Sequence, residues 1–476
     1  MKILLSRLDL NLRATNRLPR LIFLSILVAM LFACSEQSNV SSTAIQNVTV
    51  IDAVNGLRAN QTVIFAGDEI LAVQPADQDF QAAVVIDGSG KYLIPGLWDF
   101  HVHLTYDERL TPVMPDLFLS WGITSVRDTG GLMENILPVV SSMRAAETRS
   151  PRVFFAGPLL DGSDVVYDGN GRPEIGVPVT TPDDARATVR QLHEQGVNFI
   201  KVYEMTRPEV FAALVETARE LNLPIDSHVP LSMRARVAGA QVDSIEHLRN
   251  IEMDCAANAA ELHQQRLTLL ENPQGIPGAE LRSMLHNLQR LPAVANYDES
   301  QCDQVIAALN STMMVPTLRL NSIDLAPPYL RSDWEEGLSR VPAAVRQDWS
   351  AQAAERAAAG RNDVSQFAEW SLFLTSRMHQ AGVPVGAGTD TPINLSIPGY
   401  SLHSELEMLV RAGLTPLQAL GAATIEPAEY FSLQDEMGTI EVGKRADLVL
   451  LNASPLVDIG NSRSIALVVA AGNVLD

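Results

Sequence analysis

Between Gly96 and about Tyr430 the chain alternates short apolar segments with helical ones, and this alternation narrows the available folds more than any other feature. Eight segments read as strands: Leu97–His101, Ser125–Arg127, Val153–Ala156, Phe199–Val202, Ile225–His228, Ser244–Glu246, Met314–Thr317 and Val385–Gly388. Helical patterns lie between them, such as Pro208–Leu221 with Ala212, Leu214, Val215 and Ala218 on one face. Eight strands with intervening helices over about 330 residues predict an α/β fold of the (β/α)8 TIM-barrel type. A doubly wound sheet is the alternative, but no Gly-rich phosphate loop follows any strand, which argues against a nucleotide-binding version.

The two ends of the chain differ from the middle. Residues 45–95 carry short alternating runs (Val48–Ile51, Thr62–Phe65, Ile70–Val73, Val84–Ile86) punctuated by Gly56, Gly67 and Gly88-Ser89-Gly90. Residues 431–476 repeat the style at Leu448–Leu451 and Ile465–Ala470. Neither end has enough strands to bury its own apolar face, so the two are expected to pair into one small composite β-sandwich flanking a barrel at 96–430.

Active residues of such a barrel sit at the C-terminal ends of its strands. Read in order, those ends supply His101 and His103, Lys201, His228, His247 and Asp390. In a strand, residues i and i+2 face the same side, so His101 and His103 project together. Four imidazoles and a carboxylate suit a borderline divalent metal such as zinc. Lys201 stands out because the chain has only four lysines, and the others lie in the N-terminal segment (Lys2) or in Gly-containing turns (Lys91, Lys444). A buried lysine can become a neutral amine where arginine cannot, and a neutral amine reacts with CO2 to give an anionic carbamate. The alternative is an ion pair with an acid such as Glu204.

The N-terminus has the form of an export signal. Arg7, Arg13, Arg17 and Arg20 precede an apolar run, Leu21 to Ala33, too short for an ordinary membrane-spanning helix. It ends in Leu31-Phe-Ala-Cys34 and resembles a bacterial lipoprotein box. That resemblance implies a signal peptide at 1–33, lipidation of Cys34, a tether at 34–44, and an outer-membrane protein facing the periplasm of a Gram-negative cell. A net charge of −21 argues against nucleic acid as a partner. Membrane contact is expected through the lipid anchor only. The two remaining cysteines, Cys255 and Cys302, form a disulfide candidate in an oxidising compartment. They fall in the first of two stretches longer than ordinary loops, residues 250–310 and 319–370, which are expected to cap or shape the site.

The motifs Pro95-Gly-Leu-Trp-Asp-Phe-His-Val-His103, Trp121 to Gly130, Phe199-Ile-Lys-Val202, Asp226-Ser-His-Val229, Ser244-Ile-Glu-His-Leu248, Gly388-Thr-Asp390, Ala419 to Thr424 and Gly438 to Asp447 occur in a consistent order. With them the chain resembles the metal-dependent amidohydrolase superfamily, and within it the imidazolonepropionase-like group that includes binuclear Xaa-Pro dipeptidases. The resemblance implies two divalent ions, with zinc the first expectation. His101, His103 and Asp390 would hold one, His228 and His247 the other, and carboxylated Lys201 would bridge them together with a hydroxide. Asp390 would be the general base, and the reaction hydrolysis of an amide-type C–N bond in an N-acyl amino acid or dipeptide-like small molecule. A mononuclear deaminase or cyclic-amide hydrolase is the rival enzyme, and a binding lipoprotein on the same barrel the rival without catalysis. Tyr203, Arg127 and His403 are candidate substrate contacts. For each, a packing or ion-pair role competes.

Overall fold

The computed structural model describes residues 41–359 and 365–475. The expected signal peptide, the lipidation site Cys34 and most of the tether lie outside the described residues.

The chain first builds strands β1 (Thr43–Asp52), β2 (Gly56–Ala66), β3 (Glu69–Pro75), β4 (Val84–Asp87) and β5 (Tyr92–Pro95). The β1–β2 turn closes locally: Asp52 Oδ1 accepts from the Asn55 amide at 2.7 Å, and Gly56 takes φ +69°. Near the C-terminus come β15 (Leu448–Leu451), β16 (Ile465–Ala470) and β17 (Asn473–Leu475). Hydrogen bonding joins the two ends into one continuous eight-stranded mixed sheet, in the order β17-β16-β15-β5-β1-β2-β3 with β4 on β1, rather than two separate sheets. The junction is β15 antiparallel to β5, pairing Leu448 with Pro95 and Leu450 with Leu93. Ile45, Val50, Val63, Phe65, Leu93, Leu448, Leu450 and Val469 fill one apolar core that neither end could make alone.

The middle of the chain carries parallel strands. β6 (Leu97–Val102), β7 (Ile123–Asp128) and β8 (Arg152–Phe155) form one sheet. β9 (Leu159–Asp161), β10 (Gly176–Pro178), β11 (Ile200–Val202), β12 (Ile225–Ser227), β13 (Ser244–Glu246) and β14 (Met313–Val315) form another, ordered β10-β9-β11-β12-β13-β14. Residues 384–391 lie between the two sheets: Met314 N donates to Pro384 O at 2.8 Å, Phe100 N to Ala387 O at 2.9 Å, and Asp390 N to His101 O at 2.8 Å. On the other side, Asn198 serves as a strand partner, its amide donating to Phe155 O at 2.9 Å and its Oδ1 accepting from Phe155 N at 3.1 Å. These links are consistent with an eight-stranded barrel. Strands β9 and β10 are not among the segments expected from the sequence.

The helices start where capping chemistry allows. Helix Pro182–Glu194 opens with Thr181, whose hydroxyl accepts from the Asp184 amide at 3.1 Å, and with Pro182 at its first position. Helix Pro208–Glu220 buries Val210, Phe211, Ala213, Leu214, Val215 and Ala218, so three of the four residues expected on its apolar face lie there and only Ala212 faces solvent. Residues 250–310 fold into helices Ile251–Asp254, Ala259–Leu270, Gly278–Ala295 and Glu299–Ala308, and Cys255 is disulfide-bonded to Cys302. Among the described residues no helix is long and apolar enough to cross a membrane.

Candidate metal centre

Five chelating side chains converge at the ends of β6, β12, β13 and the 384–391 segment. His101 Nε2 and His103 Nε2 each lie 3.2 Å from Asp390 Oδ1. His247 Nε2 is 4.0 Å from Asp390 Oδ2, and the His247 ring is centred 4.7 Å from that of His101 and 4.8 Å from that of His228. All five are buried. His247 and Asp390 sit at φ +63° and +59°, a region non-glycine residues seldom occupy. Such strain persists only where the surroundings over-determine it, and it turns each side chain inward as its strand ends. Gly388 allows the close approach behind: a Cβ there would come within 2.7 Å of His101 Cβ.

The second nitrogen of every imidazole is occupied. His103 Nδ1 faces Gly130 O at 3.1 Å, an acceptor only, so Nδ1 carries the proton. Thr317 donates its hydroxyl proton to Pro316 O at 2.8 Å, so its oxygen accepts from His247 Nδ1 at 2.6 Å. His228 Nδ1 donates to Glu204 Oε1 at 2.8 Å, and His101 Nδ1 bonds Glu246 Oε2. In the rings of His103, His228 and His247, Nε2 is therefore left to present a lone pair, as in metal-binding histidines whose orientation is set from behind. His103 Nε2 and Asp390 Oδ1, 3.2 Å apart in a buried site, suit a cation between them. Burial opposes a proton on His101, but Glu246 and Asp390 outweigh it and raise the group to about 9, so a bound ion would displace the proton from its Nε2. Burial, then Lys201, depresses His228 to about 3 and keeps it neutral. The His101–His103–Asp390 cluster could hold a metal ion: one ligand atom from each falls within 4.8 Å of the others. The nitrogen-and-carboxylate donor set fits a divalent ion such as zinc.

Lys201 lies inside the parallel sheet, 1% exposed, with Nζ 2.9 Å from Asp226 Oδ2. Its acidic partner is thus Asp226 and not Glu204, which turns to His228 instead. Asp226 is also 3.7 Å from Arg127 Nη2, and burial, followed by the neighbouring Glu246, raises it to about 6.

Two expected substrate contacts are corrected. Arg127 is wholly buried beneath the site: Nε donates to Phe100 O at 2.7 Å, Nη1 to Ser244 Oγ at 3.0 Å and Nη2 to Glu246 Oε1 at 2.6 Å, with the guanidinium over the Phe100 ring. It has nothing left for a substrate. Its work is to compensate Glu246, which holds His101. His403 is likewise enclosed, with Nδ1 2.8 Å from Ser462 Oγ and Nε2 3.0 Å from Trp121 O, tying helix Tyr400–Arg411 to the C-terminal segment. Tyr203 packs its ring 4.4 Å from that of His228 and 5.8 Å from that of Tyr167, a wall position beside the imidazoles. Arg249, not singled out from the sequence, is half-buried two residues beyond His247 and makes no hydrogen bond or ion pair among the described residues. Its charge acts on His228, His247 and Tyr203. Glu246 was also unassigned, and Glu204 was considered only as a partner of Lys201. The signal for Glu246 was its place just before His247, but its target lies on another strand.

Residues 374–475 match the model of the Amidohydrolase family. An imidazolonepropionase of Geobacillus kaustophilus is 37% identical over 84 residues, 17% of this chain and 20% of that protein. The matched stretch therefore spans about a fifth of that curated relative. Among solved structures, a Xaa-Pro dipeptidase with bound methionine superposes with TM-score 0.66 at 19% identity, covering 92% of this chain and 100% of that one. A bottromycin amidohydrolase superposes with TM-score 0.65 at 22% identity, covering 91% and 87%. At these identities the structural likenesses establish an amidohydrolase-like α/β fold.

Proposed function

We propose that this chain is a metal-dependent hydrolase of amide-type C–N bonds, built on a closed (β/α)8 barrel at 96–430 whose flanking sheet comes from 45–95 and 431–476. The observation that carries the reading is the set of four imidazoles with Nδ1 engaged and Nε2 turned toward Asp390. His101, His103 and Asp390 would hold one divalent ion and His228 and His247 a second, and Lys201, as its carbamate, would supply an anionic ligand to them. Carbamate formation joins the neutral Nζ to the carbon of CO2 and releases one proton. When bound, such ions lower the pKa of coordinated water and polarise a carbonyl. Asp390 takes the proton of the attacking water and returns it to the leaving amine. Tyr203 walls the pocket, and Arg249 receives the carboxylate of an N-acyl amino acid or dipeptide-like substrate. The disulfide supports an exported location, and the lipid-anchored periplasmic placement rests on the N-terminal sequence alone.

The test is release of free amino acid from a panel of acylated amino acids and dipeptides, before and after chelation. Turnover abolished by chelator and restored by zinc is expected, and tight uptake with no turnover on any member would defeat the reading. The imidazolonepropionase likeness favours one second reading, a mononuclear cyclic-amide hydrolase. It requires one metal per chain and an unmodified Lys201, so metal stoichiometry and the CO2 dependence of reconstitution separate the two.

A further inference from the structure

We propose that the inserted helix Gly278–Ala295 is a positioning element of the metal centre, which through Arg282 and Glu204 sets His228 and so governs occupancy of the site His228 shares with His247. The inference rests on the two-metal reading above.

Three of the four imidazoles are braced by the strand ends themselves: His101 by Glu246 of β13, His103 by the Gly130 carbonyl just after β7, and His247 by Thr317 just after β14. His228 differs. Its brace, Glu204, is fully buried and is itself held from outside the barrel: Glu204 Oε1 accepts from both His228 Nδ1 and Arg282 Nη2, each at 2.8 Å. His286, one turn further along the same helix, brings Nε2 within 2.9 Å of Glu204 Oε2, off the line of a hydrogen bond. A buried carboxylate deprived of its cation is unstable as an anion and cannot keep the same grip on an imidazole N–H.

The helix is also tied back to the neighbouring residue. Gln289 accepts from Arg266 Nε at 2.6 Å, Arg266 Nη1 donates to Asn250 Oδ1 at 2.9 Å, and Asn250 Nδ2 donates to Val229 O at 3.0 Å. One set of contacts thus leaves from His228 and another returns to Val229, enclosing the ligand position from both sides. The helix is seated firmly enough to do this. Leu281 and Leu285 pack with Leu159, Val166, Tyr203 and Leu231, and Gly278 approaches so closely that a Cβ there would come 2.1 Å from Asp164 O.

The experiment measures zinc or cobalt per folded chain, and the affinity of each site, for the full-length protein and for Arg282→Met, Arg282→Lys, His286→Gln and Leu288→Ser, the last at an exposed position of the same helix. Wild-type protein is expected to hold two ions. Arg282→Met should lose one, its weaker site falling about 10- to 100-fold in affinity, as removal of a ligand's outer partner does elsewhere. The His101–His103–Asp390 site should be unchanged, with Arg282→Lys and His286→Gln intermediate and Leu288→Ser like wild type. Two tightly held ions in natively folded Arg282→Met, or equal weakening of both sites, would overturn the proposal. If Arg282→Met does not fold, wild-type affinities in both Arg282→Lys and His286→Gln would overturn it equally. A wild-type protein holding a single ion would defeat the two-metal reading itself, before any variant is made.

Discussion

The two halves of the proposed metal centre are built differently. His101, His103 and Asp390 are fastened by the sheet: the backbone of Asp390 bonds that of His101, and Asp99 grips Thr389 through both its amide (3.0 Å) and its hydroxyl (2.6 Å). Their ligand atoms are already gathered into one cluster. His247 is likewise braced at a strand end, by Thr317, whereas His228 depends on an inserted helix 78 residues away in sequence from Glu204. The difference teaches that one half is a property of the parallel sheet and the other of what has been added to it. The sheet half should therefore resist perturbation of the cap, and the cap half should not survive it.

The largest effect should come from the sheet half. Asp390→Asn removes both a ligand and the proton acceptor, and kcat on the best substrate of the panel should fall by at least about 10³-fold. A variant within tenfold of wild type would break the comparison at its base. Next, Arg127→Met should destabilise the fold by about 3–5 kcal/mol, because Glu246 would keep buried charge without its guanidinium partner. Urea unfolding measures this, and an unchanged midpoint would show that the charges beneath the sheet half are not coupled to folding. On the cap side, replacing Cys255 and Cys302 together by serine opens a closure of 47 residues and should cost about 2–4 kcal/mol. It should also release one metal on dialysis more readily than the other, and equal release of both would erase the distinction between halves. The smallest effect belongs to Arg249→Met. Loss of one charge-assisted contact, about 1.5–3 kcal/mol, should raise KM for carboxylate-bearing substrates about 10- to 100-fold with kcat nearly kept. The same variant assayed on a neutral amide should show no change.

Much of the candidate site was legible because its signals are local. Alternation along a strand put His101 and His103 on one side, and apolar runs closed by a histidine, lysine or aspartate marked strand ends. The errors have a common form. For Arg127 the competing ion-pair role is the one that forms, and it is fully enclosed because its partners Ser244 and Glu246 come from a strand more than 100 residues later. Glu204 was considered for Lys201, three residues away, yet it faces His228, while Lys201 meets Asp226 on the adjacent strand. His403, a candidate substrate contact by sequence, sits in the first turn of helix Tyr400–Arg411 and is bonded to Ser462, near the C-terminus.

Sequence alone thus determined which side chains end the strands, since side-chain direction within a strand follows a two-residue period that no distant contact alters. Only the tertiary structure decided how those groups are paired, protonated and braced. Hydrogen bonds and buried charges are satisfied by whatever lies within about 3 Å in space, and the order of residues along the chain does not encode that.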